Sequence, residues 1–588
     1  MTSQYKTLRP LFLDFETTNL DKGSAVTPEN RIVLACWKQD GVRHHCRGDQ
    51  YHQPALYKAG LEADLLVAHH AKFELQWLRR MGINLEDICP VFDTLLAQKV
   101  RASNRQWPLS LDLVAGHYGL GHKSGPVHAL IQGGVCPSEI PESMLLEYCT
   151  RDVDLTDRVF HAQLEVMSDA ELALLQTRTE LTPVLADIEF NGMALDTVLV
   201  FMEHQKLTAK LVEYEREIET LAPGINWNST LQVAKLLYED WGIPELQDRH
   251  GNPVRTATGR PKADTDTIAQ LRGTTAKARK FLEIKQAASA TSSLLSKYIT
   301  KMQECCDNEG ILYASFNQST TKTDRTSSSG AKYKIQFQNI YRQYKGLFKA
   351  RPGYVYLSAD GSQIEFRVAA GVGNDATAIS DIRSGYPVHQ RTADILTGAG
   401  QPTSYQDAKP HTFKPLYGGM SGTDAEIEYY KAFRERYPDI YKTQTGWTVE
   451  VLKNGQYTLP WGVTYYFPGT VASRSGYIEN TSNIFNYPIQ ALATAEIIPI
   501  VVAGVWRDMK LAGLASRIVN LVHDDILIEA VPAEVEALRE ILLDNFLSAC
   551  YNVLKERYSY EFKVPLGCAI KTGLHWGEGN ETKYEADI

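Results

Sequence analysis

Short apolar runs that end at acidic side chains are the leading pattern along this chain. Residues 355–357 predict a buried strand, and Asp360 stands where that strand ends. Gly361 allows a close backbone turn, and we expect Ser362 to cap the helix that follows. An acid at the end of a core strand is held rigidly and still reaches solvent, as a metal ligand must. A helix-capping aspartate is the other interpretation of this local pattern.

A second stretch, residues 518–529, predicts two apolar strands around a polar turn at His523, Asp524 and Asp525. Adjacent aspartates in a tight hairpin repel each other unless a cation neutralises them. Asp360 and Asp524 are 164 residues apart, so only the fold can bring them together. Oxygen ligands on rigid strand ends suit Mg²⁺, and two such ions clamp both oxygens of a phosphoryl transfer.

The N-terminal part of the chain repeats the pattern. Residues 11–18 predict a strand with Asp14 and Glu16 on one face, and residues 65–75 predict a strand that leads into a helix with Glu74 near its start. Tyr148 and Asp152 are four residues apart and therefore share one helix face. Inward acids on an apolar strand are uncommon unless they bind something, although the isolated pattern does not decide this.

Composition indicates a soluble globular protein of several domains, with 588 residues, 44% hydrophobic and 22% charged. The longest apolar run, residues 497–506, is too short to span a bilayer and predicts a buried helix. No signal or transit segment precedes the first strand. The nine cysteines form no CxxC pair, which is typical of reduced cytosolic thiols.

Charge is unevenly distributed along the chain. The net charge of −9 argues against a polyanionic partner, yet residues 322–351 hold eight basic residues and one acid, Asp324, for a local net charge of +7. Aromatic side chains alternate with these basic residues: Tyr333, Phe337, Tyr341, Tyr344 and Phe348. A solvated basic face and a groove that follows nucleic-acid phosphates both fit this segment.

The motifs around the acids resemble those of a known family. Asp360-Gly-Ser-Gln-Ile-Glu365 and Val522-His-Asp524 resemble the palm motifs of family A DNA polymerases, the group of bacterial DNA polymerase I and many phage replicases. The N-terminal patterns, with Asp93 in a matching intermediate segment, resemble the exonuclease motifs of the proofreading domain in the same family. The resemblance implies an α/β multidomain fold, with a ribonuclease H-like exonuclease domain at 1–165 and a right-hand polymerase domain at 166–588. It implies a thumb at about 197–310, a palm at about 311–382 and 481–588, and fingers at about 383–480.

The resemblance also implies roles for individual residues. The palm metal ligands would be Asp360, the Gly361 carbonyl and Asp524, with Asp525 as an auxiliary acid. The nucleotide would contact Gln363, Glu365, His389, Lys409, Phe413 and Tyr417, and Lys409 would also protonate the pyrophosphate. The DNA would contact Arg325, Asn339, Asn486, Gln490 and His523. In the exonuclease domain two metal ions would be held by Asp14, Glu16, Glu74 and Asp152, and Tyr148 would orient the attacking water.

Several positions depart from the family pattern. The chain has Glu74 for an Asp, His70 for an Asn, Asp324 for a Gly, Ser482 for an Arg, and Asp525 for a Glu. In the fingers Tyr405 stands where an Arg is usual. Pro410 and Pro415 interrupt the predicted helix that carries Lys409, Phe413 and Tyr417 on one face, and an interior proline costs about 3 kcal/mol. We therefore expect a kinked or shortened helix, with Lys414 or Arg391 supplying the missing charge.

The resulting expectation is template-directed addition of dNTPs to a primer 3′-OH by two-metal phosphoryl transfer, with 3′→5′ proofreading. The cofactor would be Mg²⁺, two ions per active site, with Mn²⁺ able to substitute. The expected partners are primer-template DNA, dNTPs and replisome proteins such as a helicase or single-strand-binding protein. The first motif begins at residue 11, so we expect no 5′-nuclease domain and a phage-type, monomeric enzyme of the host cytoplasm, with no membrane partner.

Two alternatives stay open at this stage. One is a polymerase fold that binds or degrades nucleic acid with degraded synthesis activity, which the departures at Tyr405 and the two prolines favour. The other is a related RNA-synthesising polymerase. Glu365, which would crowd the 2′ position of a ribonucleotide, and the proofreading-like N-terminal region both favour DNA synthesis.

Overall fold

The protein is described by a computed structural model that covers residues 2–48, 54–122, 125–248, 251–330, 334–474 and 476–588. The chain divides into two compact units. The first comprises residues 1–193, 313–339 and 349–588, and the second comprises residues 194–312 and 340–348. Tyr333, one of the aromatic residues in the basic segment, lies outside the described residues.

A five-stranded sheet, the N-terminal sheet, forms the start of the first unit. Its described strands are, in spatial order, Val42–Arg47, Ile32–Gln39, Pro10–Thr17, Leu65–Ala68 and Val91–Asp93. The first three pair antiparallel, and the last two run parallel to the central strand Pro10–Thr17. Phe12, Leu13 and Phe15 of that strand are buried, which confirms the strand predicted at residues 11–18.

Helices flank the N-terminal sheet and continue beyond it. They are Thr2–Tyr5, Pro54–Glu62, Lys72–Arg80, Thr94–Ala102, Leu111–His117, Pro126–Gln132, Glu142–Val166 and Asp169–Asn191. Asp93 begins the helix Thr94–Ala102, because its side chain accepts hydrogen bonds from the backbone N–H groups of Leu95 and Leu96. A capping box of Ser168 and Glu171 begins the last of these helices.

A second five-stranded sheet, the C-terminal sheet, is antiparallel throughout. Its described strands are, in spatial order, Arg517–Val522, Asp525–Ala530, Val355–Gly361, Gly567–Gly573 and Thr582–Glu585. The central strand pairs Asp360 with Asp525 on one side and Gly361 with Cys568 on the other. The strand predicted before Asp360 and the hairpin predicted at 518–529 are therefore both confirmed, although Asp525 begins a strand instead of lying in the turn.

The C-terminal part of the first unit also contains helices. They are Ile364–Gly373, Ala376–Arg383, Val388–Gly398, Tyr405–Thr412, Asp424–Arg436, Pro438–Asn454, Thr481–Gln490, Ile498–Leu511, Val535–Asp544 and Cys550–Tyr558. Short strands form two hairpins, Ser315–Asn317 with Ser327–Ser329 and Gln456–Thr458 with Thr464–Tyr466. Among the described helices, the run Thr481–Leu511 is long and apolar enough to cross a membrane by length and composition, but 89% of its most apolar window is buried inside the protein, as in a core helix.

The second unit is mainly helical in its described part. Its α-helices are Thr197–Leu221, Thr230–Ala234, Thr265–Gln270, Ala276–Leu294 and Thr300–Cys305. Asp196, Ser229 and Thr275 cap three of them through side-chain oxygens. Leu237 and Phe281 lie in its hydrophobic core. The helix Thr230–Ala234 continues as a π-helical turn at Lys235–Asp240.

Two local predictions were wrong. Ser362 does not cap the helix Ile364–Gly373: Gln363 occupies the N-cap position with a φ of 52° and makes no side-chain cap bond. Lys409, Phe413 and Tyr417 do not share one helix face, because the helix Tyr405–Thr412 ends before Phe413 and a 3₁₀ turn, Lys414–Tyr417, follows. The shortened helix is confirmed, since it ends before Pro415, which has no N–H to donate and disfavours helical backbone at the residue before it. Pro410, however, lies inside the helix and does not interrupt it.

Candidate active sites

The C-terminal acidic cluster consists of Asp360, Asp524 and Asp525. Asp360 is exposed at the end of the central strand, and Asp525 lies opposite it in the sheet register with 9% of its surface exposed. Asp524 lies in the turn between the two neighbouring strands, and its backbone carbonyl accepts a 3.1 Å hydrogen bond from the Gly361 N–H. The Ser358 hydroxyl donates to Asp525 Oδ1 at 2.5 Å and fixes that carboxylate. The fold thus brings together acids 164 residues apart.

Gly361 permits this convergence because it has no side chain. A Cβ atom at this position would lie 3.3 Å from Asp524 Cβ, closer than nearly all Cβ contacts in proteins. Its conformational freedom is not used, since the residue with a positive φ in this segment is Gln363. The close approach of two backbones is therefore what requires glycine here.

The three carboxylates repel one another. Burial raises the pKa of Asp524 well above its ordinary value, and the charges of Asp360, Asp525 and Glu365 raise it further, against an opposing backbone hydrogen bond. A divalent cation would relieve this repulsion, and carboxylate and carbonyl oxygens are the ligands that Mg²⁺ prefers. The side chains present therefore fit a divalent metal ion.

Four polar side chains surround the C-terminal acidic cluster. The Tyr417 hydroxyl donates to a carboxylate oxygen of Glu365. The Arg325 guanidinium contacts Nδ1 of His523, whose φ is 63° in the turn that carries Asp524. Burial raises the pKa of Glu365 and lowers that of Arg325, and the attraction between the two charges opposes each shift. The structure brings these four predicted residues to the same place as Asp524.

His389, Lys409 and Phe413 form a neighbouring group with Tyr405. The His389 ring meets Phe413 and Tyr405 edge-to-face at centroid distances of 5.3 Å and 5.8 Å. Lys409 is exposed, and its Nζ lies 5.1 Å from the centre of the Tyr405 ring. Phe413 stacks on Phe366 at 5.1 Å, which joins this group to the helix that carries Glu365. Tyr405 thus contacts the same lysine and histidine for which a nucleotide role is predicted.

The residues expected to replace the missing arginine have other partners. Lys414 Nζ donates to the Ser421 carbonyl at 2.7 Å and lies 5.1 Å from the centre of the Tyr430 ring. Arg391 Nε lies 3.4 Å from the Tyr386 hydroxyl. Neither cation joins the group around Lys409 through these contacts, so the structure does not support charge compensation by Lys414 or Arg391.

The N-terminal acidic cluster consists of Asp14, Glu16, Glu74 and Asp152. Asp14 and Glu16 lie on the central strand of the N-terminal sheet, Glu74 lies in the first turn of the helix Lys72–Arg80, and Asp152 lies on the helix Glu142–Val166. Tyr148 is half-buried one turn before Asp152. The fold therefore carries all the predicted exonuclease residues on adjoining elements.

Glu74 shows that the N-terminal acidic cluster fits a cation. Its side chain is 3% exposed, and its Oε2 has no hydrogen-bond partner among the described residues. Burial raises the pKa of Glu74 well above its ordinary value, and the charges of Asp14, Asp93 and Glu16 raise it further. A buried carboxylate oxygen without a donor, beside other carboxylates, is the arrangement that a divalent metal ion satisfies.

Asp93 holds two backbone segments of this region together by hydrogen bonds. Its carboxylate accepts backbone hydrogen bonds from His70 and Ala71 at 3.0 Å and 2.9 Å, in addition to those that cap the helix Thr94–Ala102. Burial raises the pKa of Asp93 to about 6, against the effect of these four N–H groups. The segment around Asp93 therefore holds the loop that precedes Glu74, and His70 lies in that loop with a φ of 73°.

A sequence model described as DNA polymerase family A matches residues 200–578 of this chain. The chain belongs to DNA polymerase family A. It is similar to the DNA polymerase I of Treponema pallidum, with 25% identity over 538 residues that cover 87% of this chain and 51% of that protein. It is also similar to the DNA polymerase I of Pseudomonas aeruginosa, with 26% identity over 549 residues that cover 88% of this chain and 57% of that protein. The chain thus spans about half the length of these curated relatives.

A solved structure shares the fold of this family A chain. It is the POL domain of Pol1 from M. smegmatis, in complex with DNA primer-template and dNTP. The TM-score is 0.76 at 20% sequence identity, and the match covers 98% of this chain and 97% of that chain. The shared fold therefore includes the N-terminal sheet as well as the C-terminal sheet.

The remaining predicted DNA-binding residues are Asn339, Asn486 and Gln490, and Gln363 is the remaining predicted nucleotide contact. Gln490 Oε1 accepts a 3.1 Å hydrogen bond from Thr323, two residues before Arg325. Asn486 lies on the same helix as Gln490, Thr481–Gln490, and its Oδ1 is buried without a partner in the described part of the chain. Asn339 and Gln363 are exposed, and Asn339 donates to Gln336 at 2.7 Å.

Sequence reasoning missed the partners of Asp324. Asp324 has a φ of 59°. Its Oδ1 lies 2.9 Å from Lys99 Nζ, in an ion pair that lacks hydrogen-bond geometry. Its Oδ2 lies 3.6 Å from Arg178 Nη2. Lys99 and Arg178 are both buried, and Arg178 also pairs with the buried Glu496 at 2.6 Å. The departure from glycine was visible in the sequence, but partners more than 140 residues away were not.

A cysteine also lies in the N-terminal acidic cluster. Cys149 Sγ is 3.3 Å from Asp14 Oδ2, and ligand atoms of Asp14, Glu16 and Cys149 all lie within 4.8 Å of one another. In the sequence, only the position of Cys149 next to Tyr148 indicated a role at this site. Cys149 belongs to no CxxC pair, so its spacing did not suggest a metal ligand. A thiol therefore joins the carboxylates at this site.

Proposed function

We propose that this chain is a DNA-directed DNA polymerase that adds dNTPs to the 3′-OH of a primer paired with a template, with its active site at the C-terminal acidic cluster. The observation that carries the proposal is the convergence of Asp360 and Asp524, whose repulsion contributes to the raised pKa of Asp524. Membership of DNA polymerase family A supports it. So do the similar proteins named DNA polymerase I and the similar fold bound to DNA primer-template and dNTP.

Metal ions held by Asp360, the Gly361 carbonyl and Asp524 would neutralise the triphosphate and lower the pKa of the primer hydroxyl. Mg²⁺ is the proposed ion, with Mn²⁺ able to substitute. The chain itself would supply positioning. Asp525 is fixed by Ser358 and supports the two ligands as an auxiliary acid.

The nucleotide would lie against the fingers residues. The exposed ammonium of Lys409 is available to the triphosphate and to the leaving pyrophosphate, and His389 and Phe413 are packed against each other beside it. Glu365, held by the Tyr417 hydroxyl, would crowd the 2′ position of a ribonucleotide and select dNTPs. Arg325 and His523 would contact the minor groove beside the primer end, where all correct pairs present similar acceptors.

The N-terminal acidic cluster is the proposed 3′→5′ proofreading exonuclease site. Asp14, Glu16, Glu74 and Asp152 would hold the metal ions, and Tyr148 would orient the attacking water. The unpartnered oxygen of Glu74 supports this role. The proposed organisation keeps a ribonuclease H-like domain at 1–165 and a polymerase domain at 166–588, acting as a monomer in the replication of a phage genome.

A primer-template assay with Mg²⁺, with and without dNTPs, tests both activities. Extension with dNTPs and single-strand shortening without them are the expected results. Asp360→Ala should abolish extension and leave shortening intact, whereas Asp14→Ala should do the reverse. Each variant is thus the folding control for the other. Extension by Asp360→Ala at the wild-type rate would refute the polymerase site, and shortening by Asp14→Ala would refute the nuclease site.

A binding or nuclease protein with degraded synthesis activity is the second candidate. Tyr405 in place of the usual arginine, without a substitute cation from Lys414 or Arg391, favours it. In that case the wild-type protein would bind primer-template DNA but extend it with neither dNTPs nor rNTPs. Extension with rNTPs in preference to dNTPs would instead indicate an RNA-synthesising polymerase.

A further inference from the structure

Cys149 is a fully buried thiol that points at a proposed metal ligand. Its Sγ lies 3.3 Å from Asp14 Oδ2 and 3.7 Å from the Asp14 carbonyl oxygen. With Glu16 it completes a set of three possible ligand atoms within 4.8 Å of one another. This thiol has no part in the proposed hydrolysis, for which the four carboxylates and Tyr148 suffice.

A second observation indicates that a cation belongs among these side chains. Glu74 is 3% exposed, its Oε2 has no hydrogen-bond partner in the described structure, and the charges of Asp14 and Glu16 act on it. The effect of these charges places the buried carboxylate close to the two strand acids. A buried carboxylate close to two further acids favours an ion at this place.

The spacing of the sulfur and oxygen atoms suits one tetrahedral ion. Zinc–sulfur and zinc–oxygen bonds of about 2.3 Å and 2.1 Å at tetrahedral angles separate the two ligand atoms by about 3.6 Å. The observed distance from Cys149 Sγ to Asp14 Oδ2 is 3.3 Å. Mg²⁺ takes oxygen ligands in near-octahedral geometry, whereas thiolates select softer ions such as Zn²⁺ and Cd²⁺.

We propose that Asp14, Glu16 and Cys149 form a mixed carboxylate–thiolate site that binds Zn²⁺, or its analogue Cd²⁺, in preference to Mg²⁺. On binding, the S–H bond is lost, its proton passes to solvent, and the sulfur forms a bond to the ion without any change of oxidation state. The consequence for catalysis rests on the proposed exonuclease function: an ion held by the thiolate occupies Asp14 and Glu16 and competes with the ions of the nuclease.

Cadmium alone is the direct probe, because a cadmium–thiolate bond absorbs in the ultraviolet and carboxylates bound to cadmium do not. The full-length protein, free of DNA and reduced, is titrated with Cd²⁺. Cys149→Ser keeps the size and a hydrogen-bond donor, and Cys550→Ser is the matched control, since Cys550 is also fully buried and its raised pKa has burial as its only cause.

Wild type and Cys550→Ser should show a saturable absorption band that Cys149→Ser lacks. Added Zn²⁺ should remove the band from wild type and from Cys550→Ser, because it competes with Cd²⁺ for the same ligands. An absorption band of equal size and affinity in all three proteins would overturn the proposal, and so would its absence from wild type. Circular dichroism of each protein confirms that it is folded.

The nuclease assay separates this inference from the proposed function. At constant Mg²⁺, we determine for each protein the Zn²⁺ concentration that halves its nuclease rate. The rate of the same protein in Mg²⁺ alone is the reference. We expect this concentration to be at least about 10-fold higher in Cys149→Ser than in Cys550→Ser; equal values contradict the competition. If no protein degrades DNA, the exonuclease proposal fails, while the cadmium titration still decides whether the site exists.

Discussion

The ion pair between Asp324 and Lys99 leads to the sharpest prediction. Asp324 immediately precedes Arg325, and Lys99 lies on the helix Thr94–Ala102 of the N-terminal region. The two charged atoms are 2.9 Å apart, and Arg178 lies 3.6 Å from the other carboxylate oxygen. The side-chain exposures of Lys99, Arg178 and Asp324 are 8%, 4% and 12%, so water screens these charges little.

The expected loss in the free energy of unfolding follows from these distances. At an effective dielectric constant of about 20, charges 2.9 Å apart attract by about 6 kcal/mol, and charges 3.6 Å apart by about 5 kcal/mol. Removing one partner of a buried pair costs about 3–5 kcal/mol, because the other charge remains buried. Arg178 keeps Glu496 at 2.6 Å, so Lys99 carries most of the loss. We therefore expect Asp324→Asn to cost about 3 kcal/mol.

The perturbation is a double-mutant cycle with Asp324→Asn, Lys99→Met and both together. Asparagine tolerates the φ of 59°, so this substitution tests the charge and not the backbone. The double variant removes both buried charges and should recover about 2 kcal/mol of the summed single losses. Scanning calorimetry follows the first unfolding transition, because a protein of this size does not unfold in two states.

DNA binding gives the second readout. Loss of the ion pair frees the segment that carries Arg325, so the Kd for a primer-template duplex should rise several-fold in Asp324→Asn and recover in the double variant. Single losses that add within about 0.5 kcal/mol would show that the charges of Asp324 and Lys99 are not coupled, contrary to the prediction. A stable Asp324→Asn variant with unchanged Kd would refute it as well.

Three further predictions concern the C-terminal acidic cluster. Glu365→Ala should raise ribonucleotide incorporation in primer extension with rNTPs. Tyr417→Phe removes the hydroxyl that holds Glu365 and should raise this incorporation less. Unchanged incorporation by Glu365→Ala would exclude the proposed selection of dNTPs by Glu365. The pKa of Asp524 is raised in the folded protein, so the metal-free fold loses stability as pH rises above the ordinary carboxyl range and Asp524 ionises. Mg²⁺ should therefore raise the Tm more at pH 8 than at pH 5. An equal Mg²⁺ effect at both pH values would contradict this linkage. Gly361→Ala should reduce the extension rate at saturating dNTP, since the Cβ of the new alanine would lie 3.3 Å from Asp524 Cβ. A kcat equal to that of wild type would show that the two backbones can separate without cost.

Sequence reasoning recovered the elements whose pattern is local. The strand before Asp360, the hairpin around Asp524 and the strand of Asp14 are each set by a short apolar run, and all three are present. The shortened helix Tyr405–Thr412 was predicted from Pro410 and Pro415, because a missing N–H is a local property; the helix ends before Pro415 but contains Pro410.

Features that depend on distant contacts could not be predicted in this way. Ser362 had the right chemistry for a cap, but the strand continues through Gly361 and leaves Gln363 at the helix start with a φ of 52°. The positions of Cys149 beside Asp14 and of Lys99 beside Asp324 arise only when separate elements pack. The contacts of Lys414 with Ser421 and Tyr430, which do not join it to the group around Lys409, likewise arise from packing.

The pairing of Asp324 with Lys99 has an evolutionary consequence. A relative that has glycine at the position of Asp324 gives a buried lysine at the position of Lys99 no counter-charge, and we expect such a relative to carry a neutral side chain there. The two positions should therefore change together among homologues, although 225 residues separate them along the chain.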